Sequence, residues 1–557
     1  MWRRLDPVLA IALILALVFS IYGIRWGRVE CWNRDQMALR PLHLNWRPFS
    51  YAKPPFHTYL NHLIVLRPIA QAQFLRQRVF GQRANLNEAR LLGSRLLVVA
   101  LFLGTIALAF SISRQAYGLF AARVIALLLA TSAGFIAYDH FLSCDSPLLF
   151  WMMLTLFFVQ RIYTRGQTAD YILAGFLTGI STATKYNGLA VGIAMVTAHF
   201  LSKNKSSLPD RLLNKRLVLG LGMVAVGFIA GNPYSIFDWK KFSADFIYNY
   251  KVTPVYGGQT AGHGYGQFLA RLSEILGLPG AILIAVAVLS SFTIVLIRRD
   301  LRGPAGSLFA ITGSVFLLYF MKFGSFPRME TRFVLPAVPL SILMAGPFFN
   351  AIATKQKWAY SVLVPLLLYN CLCCFYVGKR FTQDPRTSAQ FWIERHCARG
   401  LIVESSAGSP HWHKLPKFNA VESDAEEPNW NKAQRVDVID LRMPHASGRP
   451  ELFARIFQDD PWIRQHAPDY EDEANERLFT FAELSKRKPD LITVYSADYQ
   501  VPSAAVRNYY SDLLQGKFPY DIVFDGQTRR PPRWVYPQNI DFLDGRIAIL
   551  ARRPGPR

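Results

Sequence analysis

The chain has 557 residues, 51% of them in the hydrophobic class, and a formal net charge of +24. Residues 1–380 carry a net charge of +25, whereas residues 381–557 carry −1. The long apolar runs in the first part exclude a purely soluble enzyme and a disordered chain. Basic residues flank these runs, which is how membrane proteins set their orientation, so we predict no nucleic-acid partner.

Apolar runs predict a polytopic α-helical membrane protein with about eleven or more transmembrane helices. The pair at 169–201 is interrupted at "TKYN" and is compatible with one kinked helix or two short ones. The predicted spans are 7–24, 91–113, 118–137, 146–163, 169–183, 187–201, 216–232, 279–297, 305–321, 332–349 and 357–377.

The distribution of basic residues predicts the orientation of these spans. If the N-terminus is cytoplasmic, the inner segments hold 15 lysines and arginines, and the short outer turns hold three. This alternation follows the positive-inside rule. Both long loops, 25–90 and 233–278, then lie outside the cytoplasm, and so does the C-terminal part. We expect the cell inner (plasma) membrane as the location.

Residues 381–557 are polar and contain short β-branched runs such as "VDVIDL" and "LITVYS". Turn residues separate these runs, and one helical pattern lies near 450–465. We therefore predict two domains, which are a membrane domain over 1–380 and a C-terminal extracytoplasmic mixed α/β domain over 381–557. Within loop 25–90, residues 56–80 have the periodicity of an amphipathic helix on the membrane surface.

Several polar residues fall on the predicted outer face although they are far apart in sequence. Polar groups at membrane depth or in short turns are costly, which makes them functional candidates. Acids and bases on one face would suit a pocket in which cations hold a phosphate and a carboxylate removes a proton. The candidates are Asp35, Lys53, Asp139, Asp145, Lys185, His263 and Arg332.

All of these candidates except Asp139 also have a simpler interpretation. Asp35 would serve as a helix N-cap or as a partner of a neighbouring arginine, and Asp145 as a helix cap. Lys53 and Arg332 would be interfacial anchors. Lys185 would bind carbonyls freed at the helix break, and His263 would be exposed or a metal ligand.

Four motifs in a fixed order resemble the GT-C glycosyltransferases related to protein O-mannosyltransferases and aminoarabinose transferases. They are Asp35-Gln36 after the first span, Lys53-Pro54-Pro55, Asp145-Ser146-Pro147-Leu148 and Arg332-Phe333-Val334-Leu335-Pro336. The likeness covers about residues 1–380 and includes "TATKYNGLA" and "GHGYG". It departs from the family where Gln36 replaces a second acid and where the Glu that precedes "KPP" in some relatives is absent.

The resemblance implies a glycosyltransferase that uses a polyprenyl-phosphate-linked sugar donor and a lipid, glycan or protein acceptor. Asp35 would be the general base, and Lys53, Arg332, Lys185 and His263 would bind the phosphate. Asp145 and Asp139 would bind substrate. No cofactor is implied with certainty, and dependence on a divalent metal stays open. The alternative function is a transporter or flippase of lipid-linked sugars, and a non-catalytic scaffold is a third hypothesis.

Overall fold

Helices dominate the first 396 residues of the protein. A computed structural model describes residues 6–27, 42–43, 45–81, 86–202, 214–252, 264–298, 301–327, 329–353, 356–396, 402–405, 437–440, 479–495, 504–527, 532, 535, 540 and 545–553. Helix boundaries coincide with residues that favour them. Glycines with positive φ, Gly118 and Gly277, stand directly before two helices, and Asp6 caps the first helix through its side chain.

Both long and short helices occur in this part of the chain. In chain order they are α1 (Pro7–Ile21), α2 (Phe56–Asn61), a π-helical turn (His62–Leu66), α3 (Arg67–Phe80), α4 (Asn87–Tyr117), α5 (Leu119–Ala130), α6 (Ala133–Asp139), α7 (Asp145–Thr164), α8 (Thr168–Thr184), a 3₁₀ helix (Tyr186–Val191), α9 (Gly192–Leu201), α10 (Lys215–Gly231), α11 (Tyr234–Phe237), α12 (Trp239–Val252), α13 (Tyr265–Leu276), α14 (Leu278–Ile297), α15 (Pro304–Gly324), α16 (Thr331–Val334), α17 (Ala337–Met344), α18 (Gly346–Ile352), α19 (Gln356–Thr382) and α20 (Pro385–His396).

Each predicted span coincides with one helix or with consecutive short helices. Among the described residues, five helices are long and apolar enough to cross a membrane, or six if the pair α5 and α6, bent by 53°, forms one span. The several apolar helices of a membrane protein are therefore confirmed, whereas the count of eleven spans stays a prediction. At "TKYN" the chain forms two short helices separated by Lys185 in an extended conformation.

Both predicted outer loops contain helices. The amphipathic stretch 56–80 is helical throughout, as α2, the π-helical turn and α3. The second loop holds α11, α12 and α13, which the sequence analysis did not predict. These short helices lie at the ends of the longer ones, so they are in a position to shape a site on the predicted outer face.

Helices α8 and α10 approach each other at glycines. A Cβ atom on Gly175 would lie 1.9 Å from the carbonyl oxygen of Gly220, and one on Gly179 would lie 2.3 Å from that of Val224. Gly227 is equally restricted, because its Cβ would lie 2.1 Å from the oxygen of Phe176. Small residues let two helix backbones pack at close range inside a membrane. These contacts pack α8, which ends directly before Lys185, closely against α10.

A five-stranded sheet forms in the C-terminal part, in the order β2-β1-β3-β5-β4. Pairs β1–β2 and β1–β3 are parallel, and pairs β3–β5 and β4–β5 are antiparallel. All five strands fall on β-branched runs of the sequence, and the predicted helix near 450–465 lies outside the described residues. The elements are β1 (Ile402–Ser405), β2 (Asp437–Asp440), α21 (Phe481–Arg487), β3 (Leu491–Tyr495), α22 (Ala504–Leu514), β4 (Tyr520–Gln527) and β5 (Arg546–Arg552). That residues 381–557 form a separate domain outside the cytoplasm stays a prediction.

Candidate active site

Two of the predicted site residues form a direct ion pair. The ammonium of Lys185 lies 2.5 Å from a carboxylate oxygen of Asp145. Asp145 is the first residue of α7, and Cys144 holds the N-cap position without a side-chain hydrogen bond, so Asp145 is not the cap. The lysine side chain is 17% exposed and the aspartate side chain 5%, which leaves the pair at the edge of the protein interior.

A second charged group lies on helices α13 and α16. Arg271 forms an ion pair with Glu274 within α13, and the hydroxyl of Thr331 donates to Glu274 at 2.7 Å. The guanidinium of Arg332 forms an ion pair with Glu330 and lies 5.6 Å from the ring of Phe333. Arg332 is therefore a partly buried residue in the first turn of α16, next to Thr331 of this group.

Tyr138, at the end of α6, adjoins both groups. The tyrosine lies within electrostatic range of Asp145, Glu274 and Arg271, and it contacts the backbone of Arg332. Tyr138 is thus a neighbour shared by Asp145 and by the charged group on α13 and α16. Asp145, Lys185 and Arg332 therefore lie in one region of the structure, and their roles stay predictions.

The segment that carries Lys53 is docked beside Lys185. The hydroxyl of Tyr186 donates to the carbonyl of Tyr51 at 2.6 Å, and Phe56 packs edge-on against Trp151 of α7. The two prolines after Lys53 restrict the backbone between these contacts. Lys53 therefore lies in a stiff segment that is held at both ends against the elements bearing Asp145 and Lys185.

Tyr51 also fastens this segment to helix α12. Its backbone amide donates to Asp245 at 2.7 Å, and its hydroxyl donates to Asp238 at 3.0 Å. Arg47 binds the same Asp238 at 2.8 Å. Burial and the neighbouring carboxylate of Asp238 raise the pKa of Tyr51, so its hydroxyl stays a neutral donor.

His57, in helix α2, is a buried polar residue of the same segment. Neither ring nitrogen has a hydrogen-bond partner among the described residues. Burial lowers the pKa of His57 to about 4, so the imidazole is neutral at physiological pH.

Asp139 takes a different position from Asp145. It is fully buried, and its two carboxylate oxygens accept hydrogen bonds from Ser20 at 2.8 Å and from Ser146 at 2.7 Å. These contacts tie α1 and α7 to the end of α6. The structure thus places Asp139 as a link between helices.

The two remaining candidates, Asp35 and His263, lie outside the described residues. Next to His263 in sequence, Gly264 packs so closely against the Phe326 carbonyl that a Cβ would lie 2.6 Å from it. The chain thus enters α13 beside the turn that precedes Glu330 and Arg332.

The comparisons with known proteins concern the family and the fold of the chain. Residues 84–230 match the family model "Dolichyl-phosphate-mannose-protein mannosyltransferase", a range that includes Asp145 and Lys185. ArnT of Cupriavidus metallidurans bound to undecaprenyl phosphate has a TM-score of 0.52 and 14% identity, with 97% of each chain covered. Its apo state gives a TM-score of 0.50 at the same identity and coverage.

The chain has a GT-C glycosyltransferase fold. The resemblance drawn from the four motifs is thereby confirmed. An oligosaccharyltransferase of Archaeoglobus fulgidus is a more distant match, with a TM-score of 0.44, 14% identity, and coverage of 70% of this chain and 58% of its own. No curated protein sequence matches the chain.

Sequence reasoning missed three contributors to the surroundings of this candidate site. Arg271 and Glu274 have a spacing of three residues on an amphipathic stretch, which is a detectable helical ion-pair signal. Tyr138 had no signal beyond its place next to Asp139. Within the described ranges no group of three or more His, Cys, Asp or Glu side chains is arranged to hold a metal ion.

Proposed function

We propose that this protein is a membrane glycosyltransferase that moves a sugar from a polyprenyl-phosphate-linked donor to a hydroxyl outside the cytoplasm. The observation that carries the proposal is the Asp145–Lys185 ion pair at the break between two apolar helices. The match to a mannosyltransferase family model over residues 84–230 supports it. The undecaprenyl phosphate in the structure of ArnT supports a lipid phosphate as leaving group.

Lys185 is the central phosphate ligand in this proposal. A lysine ammonium carries three N–H donors, of which Asp145 accepts one and two are left for phosphate oxygens. Asp145 keeps the ammonium charged and oriented at the membrane interface. Lys53 and Arg332 approach from the docked outer segment and from α16, and charge-assisted hydrogen bonds from such cations are strong. His263 is the remaining proposed phosphate ligand.

The proposed reaction is a displacement at the anomeric carbon of the donor sugar. Asp35 removes the proton of the acceptor hydroxyl, whose oxygen attacks the anomeric carbon of the donor sugar. The bond between that carbon and the phosphate oxygen breaks, and the electron pair leaves with the polyprenyl phosphate. The cations stabilise the charge that develops on the leaving phosphate. Displacement in one step inverts the configuration at the anomeric carbon.

We propose that residues 1–380 form the catalytic membrane domain and that residues 381–557 form a domain outside the cytoplasm. The bias of basic residues toward the inner segments supports a cytoplasmic N-terminus.

The acceptor is a hydroxyl of a lipid, glycan or protein, and the sugar is a hexose or a pentose. Asp139, bound to two serines, serves in this proposal to fix the turn before Asp145.

The experiment is a transfer assay with purified protein and a panel of polyprenyl-phosphate-linked hexoses and pentoses. Wild type is expected to release polyprenyl phosphate with one donor in the presence of acceptor-containing envelope extract. Asp35→Asn should lower that rate by about 10²–10⁴-fold, the usual contribution of a general base. Asp525→Asn, an exposed carboxylate of the C-terminal sheet, is the matched control and should keep the wild-type rate.

Equal rates for Asp35→Asn and wild type would contradict the catalytic assignment. A protein that releases no polyprenyl phosphate with any donor, yet moves a lipid-linked sugar across vesicles, would support a flippase instead.

A further inference from the structure

Trp26 lies at the entrance of the first outer loop and is almost completely buried. The residue is 3% exposed, and its indole N–H donates to the carboxylate of Asp384 at 2.7 Å. Asp384 stands between α19 and α20, where the chain leaves the helical part for the C-terminal sheet. One hydrogen bond therefore joins positions 358 residues apart.

Two buried arginines flank the same indole ring. The guanidinium carbons of Arg95 and Arg386 each lie 5.5 Å from the ring of Trp26. Both side chains are fully buried, and such cation–π contacts gain strength when they are desolvated. Arg386 binds Asp384 through two nitrogens, since Nε donates to Oδ1 at 2.9 Å and Nη2 donates to Oδ2 at 2.5 Å. This fork-like geometry is specific to arginine.

Arg95 extends the cluster to the backbone around the site. It donates to the carbonyls of Ile24 and Trp26 at 2.5 Å and to that of His140 at 3.0 Å. His140 opens the short turn that ends at Asp145. The entrance of the first outer loop and this acidic turn are therefore held by one guanidinium.

Arg386 extends the cluster in the opposite direction. Its guanidinium carbon lies 5.9 Å from the ring of Tyr495 in β3. Nearby, Arg380 of α19 donates to the carbonyl of Ile540 at 3.2 Å. The C-terminal sheet thus touches the same cluster that fixes the loop entrance.

We infer that Trp26, Arg95, Asp384 and Arg386 form a positioning cluster, through which the C-terminal part fixes the backbone at the entrance of the first outer loop. This inference rests on the proposed function, in which Asp35 follows Trp26 by nine residues. None of the four residues is a proposed substrate ligand. Displacing a catalytic group by about 1 Å can cost 10²-fold in rate, so a small error at the loop entrance is sufficient to affect the chemistry.

The test compares Trp26→Phe and Arg386→Lys with wild type, using the donor that the transfer panel selects. Trp26→Phe keeps an aromatic ring and removes the N–H donor, and Arg386→Lys keeps the charge and removes the fork. Each should lower kcat by about tenfold while KM for the donor stays within about twofold. Affinity for undecaprenyl phosphate, measured separately in detergent, should also stay within about twofold.

The matched control is Arg487→Lys, because Arg487 forms a comparable buried pair with Glu404 at 2.8 Å inside the C-terminal part. This variant is expected to lower the thermal unfolding midpoint and to keep kcat. If Trp26→Phe and Arg386→Lys behave like it, with a lower midpoint and a wild-type kcat, the cluster is only structural and the inference is wrong. Failure of the proposed function has a different signature, since wild type itself would then transfer no sugar.

Discussion

Helices α7 and α8 are joined by an ion pair at each end, and the two pairs have different surroundings. At the predicted outer end, Asp145 and Lys185 lie 2.5 Å apart. At the predicted inner end, Arg161 and Asp170 lie 2.8 Å apart, and Asp170 is fully buried. Both pairs connect the same two elements, so the helix hairpin alone does not explain why their environments differ.

The environment decides what each pair can do. Arg161 also lies 5.3 Å from the ring of Phe158, and the nearby carbonyl of Gly166 accepts from Arg216. This inner pair closes the short turn between the two helices. Its neighbour Arg216 is one of the basic residues that orient the chain in the membrane. The outer pair lies at a helix break beside Tyr138, and the segment of Lys53 is docked next to it. We interpret the inner pair as structural and the outer pair as part of the site.

Of the two ion pairs, the outer one should show the larger effect on catalysis when its cation is removed. Lys185→Met should lower sugar transfer by about 10³-fold, because a preorganised donor to the leaving phosphate is lost in a site shielded from water. Asp145→Asn should have a smaller effect, since the ammonium remains. Initial rates at saturating donor measure both. Wild-type rates in Lys185→Met would place the leaving phosphate elsewhere.

Breaking the inner pair tests the other half of the comparison. Arg161→Met leaves the buried carboxylate of Asp170 without its cation, which should cost about 3 kcal/mol of stability. The thermal unfolding midpoint in detergent should fall, while kcat of the folded protein stays at the wild-type value. A loss of kcat at an unchanged midpoint would contradict the structural interpretation. The double variant Arg161→Met/Asp170→Leu is the control and should recover part of the midpoint.

Lowering the pH should have a smaller effect, which changes the stability of the folded protein through His57. Its folded-state pKa of about 4 lies below the ordinary histidine value of 6.5, so the unfolded chain binds a proton first as the pH falls. The folded state should therefore lose about 2 kcal/mol between pH 7.5 and pH 5, and less in His57→Phe. Unfolding midpoints of both proteins at the two pH values measure the difference. An identical pH dependence would show that His57 does not stay neutral in the folded protein.

Much of the fold could be predicted because apolar runs and turn residues act locally. The helix break at Lys185 and all five strands of the C-terminal sheet follow from such patterns. The helices of the second outer loop could not be predicted in the same way. They are short and mixed in polarity, and contacts such as Phe242 against Tyr51 stabilise them. The candidate site was predicted as a set of residues on one face, without its pairings.

The motif "YDHFLSCD" shows which features follow from the sequence and which depend on tertiary contacts. The sequence by itself determined that both acids lie at the predicted outer end of the membrane helices, since the apolar runs on each side leave them no other place. Only the packing of α1, α6 and α7 decided between them. Asp139 ends α6 and turns toward the hydroxyls of Ser20 and Ser146, whereas Asp145 begins α7 and meets Lys185. The short stretch of sequence between the two acids cannot specify that choice, because Ser20 and Lys185 come from helices that are distant along the chain.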